Sequence, residues 1–309
     1  MKVNIPNLKA LGDNISTTDA LTMLICILEF KVHKLSIGKT DNAVDDIDII
    51  AMQMTGKILK SMRTLILVCS IGRDYASACA LLRIVVDNIS VYNLIYANED
   101  PIEKEYRHYL YVLDGICVRE SQMKKDIEDR GNITKDDLEK LQNQYKDTRD
   151  ADSSIKQFCI DKLNNHTYAK VYPDFHEQCI SNNNWKFKDT NFKKDVRQNQ
   201  YSWKDLYSNL NLEDDVVSFI SLYLSQFVHG LILSNINLMG VEENFEPILS
   251  ITTALLSTIQ KDLEVRCPNN DALFSDFMCS PWGSELLQYV DIEHITQYSE
   301  GKYPNDKTI

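Results

Sequence analysis

Apolar residues recur at three- and four-residue intervals along most of this chain, the spacing that lines one face of an α-helix. Ile47, Ile50, Met54, Ile58, Met62 and Leu65 carry it between Val44 and Ser70. Upstream, residues 17–36 read as a helix that the Ser16–Thr17–Thr18 cluster caps and Gly38 follows. Residues 73–98 are apolar on nearly every side, which marks a central helix. Pro101 opens a fourth helix that runs to about Arg130 and becomes increasingly charged. The stretch NITKDDLEKLQNQ restarts a helix with Thr134 and Asp137 at capping-box spacing, so 121–165 reads as a polar helical hairpin. Helices over 213–238, from Pro247 to Val265 and from Ser284 to Tyr298 complete the pattern. Only 166–204 lacks periodicity, and an excursion of that length is usually functional or disordered. The expectation is an all-α, multi-helix bundle, one helical domain over 1–309 with a polar excursion at 121–204. Helix 73–98 should neighbour helix 213–238 in its core.

Composition supports helices, since 10 glycines and 7 prolines in 309 residues leave few breakers for sheet-rich or doubly wound folds. The longest apolar run, Val216–Val241, is interrupted by Ser218, Ser221, Ser225, Gln226, His229, Ser234, Asn235 and Asn237. Those groups are costly in lipid, so a core helix is expected there and no membrane span. A net charge of −12 argues against a general nucleic-acid coat but leaves room for a local basic patch. Eight cysteines without a C-x-x-C pair, several in apolar helical runs, read as reduced thiols of a cytoplasmic protein. The N-terminal MKVNIPNLKALGDN has no apolar signal core, which argues against secretion.

The candidate chemistry lies in polar residues that interrupt apolar helices. Ser221, Ser225 and His229 are spaced i, i+4, i+8 and stack on one helical face, which places the imidazole inside the protein. There it is either a core histidine bonded to a carbonyl or carboxylate, or an acid–base group. In CALLRIVVDNIS, Arg83 and Asp87 are i, i+4, and a buried guanidinium requires an acidic partner. In CILEFKVHKLS, Glu29 and His33 repeat the spacing, with His33 at a solvent edge beside Lys31 and Lys34. Three such stripes could cross at one internal site.

The pairing of ALLRIVVDN with YLSQFVHG resembles a family of uncharacterised helical bacterial proteins. These share an Arg-x-x-x-acid helix and, well downstream, a Ser-x-x-Val-His-Gly helix. The match covers about residues 60–100 and 205–240 and implies a site at Arg83, Asp87, Ser225 and His229, without implying a reaction. Helical ribonucleases of the HEPN type, used in bacterial toxin and antiviral systems, instead place both residues on one helix as Arg-polar-x(4–6)-His. Arg73-Asp74 and Arg107-His108 begin that way, but neither has the closing histidine.

A second candidate is WKFKDTNFKKDVRQNQYSWK, residues 185–204. Lys186, Lys188, Lys193, Lys194 and Arg197 interleave there with Trp185 and Trp203, a mixture suited to single-stranded RNA or to a protein partner. Its alternative is a surface loop pinned by its aromatics. Cys159, His166, His176 and Cys179 have no common zinc-site spacing, and no phosphate-loop, zincin or hydrolase motif occurs, so neither metal nor cofactor is expected. EYRHYLYVLDG, with Tyr106, Arg107, Tyr109 and Asp114, reads as packing between helices. Two functions remain. One is a binding or regulatory module, completed in its core by a second copy if the apolar helices pack across a homodimer. The other is a metal-independent ribonuclease in bacterial defence, with His229 as acid–base, Arg83 on a phosphate and Asp87 orienting either.

Overall fold

The computed structural model describes residues 16–39, 44–123, 134–191, 198–229 and 244–288. Among them all regular structure is helical, with one isolated antiparallel bridge between Phe187 and Gln200. The all-α expectation holds. The chain divides into two compact units: 1–43, 48–92 and 203–309 form the first, and 44–47 with 93–202 form the second.

In the first unit, α1 (Thr17–Ser36) starts where the Ser16 side chain accepts from Asp19 N at 3.1 Å. It packs against α11 (Glu246–Arg266) and α13 (Pro281–Leu286). Lys31, buried on α1, donates to the Cys267 carbonyl at 2.9 Å, placing a cation at the negative end of α11. Phe30 and Met23 meet Phe277 of α12 (Asp271–Met278) and Leu286 of α13 in one apolar cluster. Gly283 permits that approach, since a Cβ there would stand 2.3 Å from the Phe277 carbonyl oxygen.

Helix α2 (Ile47–Leu67) buries Ile58, Met62 and Leu65 of the expected stripe completely, whereas Ile47, Ile50 and Met54 are half-buried and Ile49 and Met52 take the core positions nearer its start. A π-helical turn, Val68–Gly72, then leads to α3 (Tyr75–Ile95). Helix α3 is long and apolar enough to cross a membrane by length and composition; here Leu82, Val85, Val86 and Ile89 are wholly buried. The expected helix 213–238 consists of α9 (Asp214–Ser218), a second π-helical turn (Phe219–Leu224) and α10 (Ser225–Val228). Residues 230–238 lie outside the described residues, as does the expected last helix beyond Gln288. Tyr75 of α3 meets Phe227 of α10 edge-on with centroids 6.0 Å apart, so the two helices are neighbours.

In the second unit, α4 (Pro101–Gln122) is capped by Asp100 with Pro101 in its first turn. Helix α5 (Lys135–Asn165) begins at the anticipated box, where Asp137 N donates to Thr134 Oγ1 at 3.2 Å. The two pack together, and α5 remains polar, burying Asp152, Cys159 and Leu163. The segment expected to be irregular holds two short helices, α6 (Thr167–Val171) and α7 (Pro173–Asn182). Beyond them the chain turns back on itself: Tyr201 N donates to Lys186 O at 2.8 Å and Lys188 N to Asn199 O at 3.2 Å. Asn199, buried, completes the turn by donating through Nδ2 to Asp189 O at 2.7 Å.

Candidate functional site

Arg83 and Asp87 pair through Nη1 and Oδ1, as their spacing demands. Tyr207, on α8 (Trp203–Ser208), donates its hydroxyl to the same Oδ1 at 2.8 Å. The Arg83 guanidinium lies 4.8 Å from the Tyr207 ring centroid. Trp203 stacks on that ring at 6.2 Å and remains 38% exposed. Burial raises the Asp87 carboxyl, against the opposing pull of Arg83 and Tyr207. Three candidate residues, Arg83, Asp87 and Trp203, are thus joined by a fourth, Tyr207, which no motif or spacing singles out.

Glu29 behaves differently from the expected stripe. Its carboxylate takes Arg63 of α2, through Nη2 at 2.6 Å and Nε at 3.3 Å, and Glu285 completes the ionic cluster. His33 is exposed and lies against Trp282, with ring centroids 5.0 Å apart. Arg63 also approaches Cys26 Sγ at 3.4 Å, but burial pushes that thiol up to about 11, which keeps it unreactive.

The serine stripe corrects the sequence reading most. Ser225 Oγ donates to Ser221 O at 2.8 Å and Ser221 Oγ to Ser218 O at 3.3 Å, so both hydroxyls are satisfied by their own helix. His229 closes α10 and is exposed, whereas an interior position was expected. The physical reason is the π-helical turn, whose i→i+5 bonds shift the register of everything after it by about one residue.

Nor does His229 join Arg83. Tyr207 meets α3 at Asp87, whereas Phe227, with Tyr223 against it, packs on Tyr75. Tyr75 lies about 12 Å from Arg83 along the α3 axis at 1.5 Å per residue, and His229 follows Phe227 at that distant end. Among the described residues no hydrogen bond or ion pair links His229 to Arg83, Asp87 or Glu29. The three stripes close on separate partners.

In the second unit, Arg107 is the organising cation. Nε donates to Glu103 Oε1 at 2.7 Å, Nη1 to Trp185 O at 2.7 Å and Nη2 to Phe187 O at 2.9 Å. Trp185 is buried and its indole donates to Asp114 Oδ2 at 3.1 Å, so it offers no open stacking face. At its first tryptophan the basic–aromatic strip follows its alternative, a loop pinned by its aromatics, and not the open stacking platform. Lys186 lies half-buried 5.6 Å over the Trp185 ring, where burial lowers its pKa. Lys188 is exposed, 5.4 Å over Tyr201. Lys193, Lys194 and Arg197 lie outside the described residues.

The unit's histidines are used within the fold. His108 donates through Nε2 to Val44 O at 2.8 Å and accepts from the Tyr96 hydroxyl at 3.1 Å. His176 accepts from Tyr106 at 2.9 Å and donates to Asn164 Oδ1 at 3.2 Å, while His166 caps α6 by accepting from Tyr168 N at 3.1 Å. Burial lowers the pKa of all three. Within EYRHYLYVLDG, nothing in Arg107-His108 alone distinguishes these roles from packing. Glu103, one turn before Arg107 in the favoured acid-first order, was the available signal. Compared with protein-family models, curated proteins and solved structures, the chain matches none of them.

Proposed function

We propose that this chain is a non-catalytic binding or regulatory module of the bacterial cytoplasm, whose ionic clusters lock helix register while exposed side chains meet a protein partner. The observation that carries this reading is the fate of Arg83: its charge is neutralised by Asp87, its face rests on Tyr207, and the candidate acid–base His229 stands elsewhere. A phosphate-binding arginine with a histidine in trans needs both side chains converging on one reacting group. The inward turn of Trp185 removes a stacking platform from the basic strip, which favours a protein partner over single-stranded RNA.

The test is metal-free incubation with single-stranded RNA, using wild type, Arg83→Ala and His229→Ala. No cleavage is expected from any of the three. Cleavage by wild type that both substitutions abolish would replace this reading with the ribonuclease.

A further inference from the structure

The break between α2 and α3 carries an unusual choice of residue. Gly72 stands next to the one left-handed position, yet Arg73 occupies it, with φ 46° and ψ 37°. Glycine adopts this conformation freely, whereas an L side chain does so at a cost. Backbone held against its preference immediately after a π-helical turn is characteristic of functional positions.

The conformation sets the guanidinium on an aromatic floor. Arg73 Cζ lies 5.5 Å from the Phe245 ring centroid, and Phe245 is 5.8 Å from Tyr75. Behind Phe245 the rings continue edge-on, Phe227 at 6.0 Å from Tyr75 and Tyr223 at 5.2 Å from Phe227. Arg63, Arg83, Arg107, Arg119 and Arg266 each have a carboxylate partner. Arg73 has none among the described residues. Its neighbour Asp74 is committed to α3, accepting from Ser77 N at 3.2 Å and Ser77 Oγ at 2.5 Å. Apolar side chains lead up to this exposed cation: Leu67 is 51% and Ile71 79% exposed.

We infer that Arg73, with Ile71 and Leu67, docks an acidic, apolar-flanked segment of a partner protein. The guanidinium takes a carboxylate, and the two aliphatic side chains take the partner's apolar residues. An arginine supported by aromatic rings is a recurrent interface anchor, because the floor fixes the fork without neutralising it. A single fixed cation on a chain of net charge −12 suits one carboxylate and not a run of phosphates. The assignment rests on the binding-module reading above and names the chemistry of its partner.

The probes are a capped helical peptide of glutamate and leucine and its glutamine-for-glutamate counterpart, titrated against the full chain and Arg73→Gly. Wild type should bind the glutamate peptide at least ~10-fold tighter than the glutamine one, and more weakly as salt rises. Arg73→Gly should abolish that preference while its melting temperature stays level or rises, because glycine relieves the left-handed position. Equal binding of the two peptides, binding of neither, or an RNA oligonucleotide competing at Arg73 would each overturn the assignment. So would a lower melting temperature for Arg73→Gly, which would make the arginine a structural lock. Failure here with no RNA cleavage above removes the docking assignment alone; cleavage removes the module reading itself.

Discussion

Arg83 in the first unit and Arg107 in the second are both helical arginines with a carboxylate one turn away, and the fold uses them differently. Arg107 is 3% exposed at its side chain, commits all three nitrogens, and lies 3.7 Å over the Phe187 ring. Burial lowers its pKa, and Glu103 opposes that shift. Arg83 is 14% exposed, and its partner Asp87 is 35% exposed. A fully desolvated cation is retained where it satisfies backbone that no helix can satisfy, here the carbonyls of Trp185 and Phe187. A partly open pair only ties side chains of two elements together.

The largest expected effect follows directly. Arg107→Ala strands Glu103 and two carbonyls, which should cost about 3–5 kcal/mol. Denaturant melts should show the loss, with Trp185 fluorescence shifting early as its segment loosens. Arg107→Lys should rescue little, since an ammonium lacks the planar fork that reaches three acceptors in this geometry. A mild phenotype for Arg107→Ala would erase the distinction between the two arginines.

Acidification comes next and should fall on the second unit. His108, His166 and His176 have folded pKa values lowered from an ordinary value of 6.5. On unfolding each regains that ordinary value, so below it the unfolded chain binds more protons. Their stabilisation is therefore complete above pH 6.5 and is lost as pH falls toward the lowered folded values. Amide exchange around α4, α6 and α7 at pH 7 and pH 5 should show it; unchanged protection would mean these histidines are not held neutral.

Arg83→Ala should cost less, about 1–3 kcal/mol, because Asp87 is open enough to recover water. A double-mutant cycle with Tyr207→Phe should give a coupling of roughly 0.5–3 kcal/mol, and additive melts would dissolve the cluster. His229→Ala is the smallest, within about 0.5 kcal/mol, as expected for a surface position. A large loss there would restore the buried histidine.

Features that depend on neighbours within four residues were legible in the chain. The Ser16 cap, the Thr134–Asp137 box, the second half of the α2 stripe and the Arg83–Asp87 pair were read correctly because each is decided by local geometry. Short helices α6 and α7 were missed, since five and ten residues give a periodic signal too little length to stand out. Between its two readings, a stacking platform or a pin for its loop, Trp185 was undecidable for a different reason. Aromatics among lysines have the same composition whether they face solvent or an arginine behind them.

By itself, then, the sequence determined an all-helical chain, its main caps, and which apolar helices carry charge. Tertiary structure decided which distant groups hydrogen-bond to that charge: Tyr207 reaches Asp87 across 120 residues, Arg63 reaches Glu29 across 34, and Arg107 reaches the Trp185 carbonyl across 78. It also placed the π-helical turn that turns His229 outward. The physical reason is one of range: helix hydrogen bonds close over four residues, whereas a desolvated charge is satisfied by whatever packing brings within about 3 Å, wherever that lies in the chain.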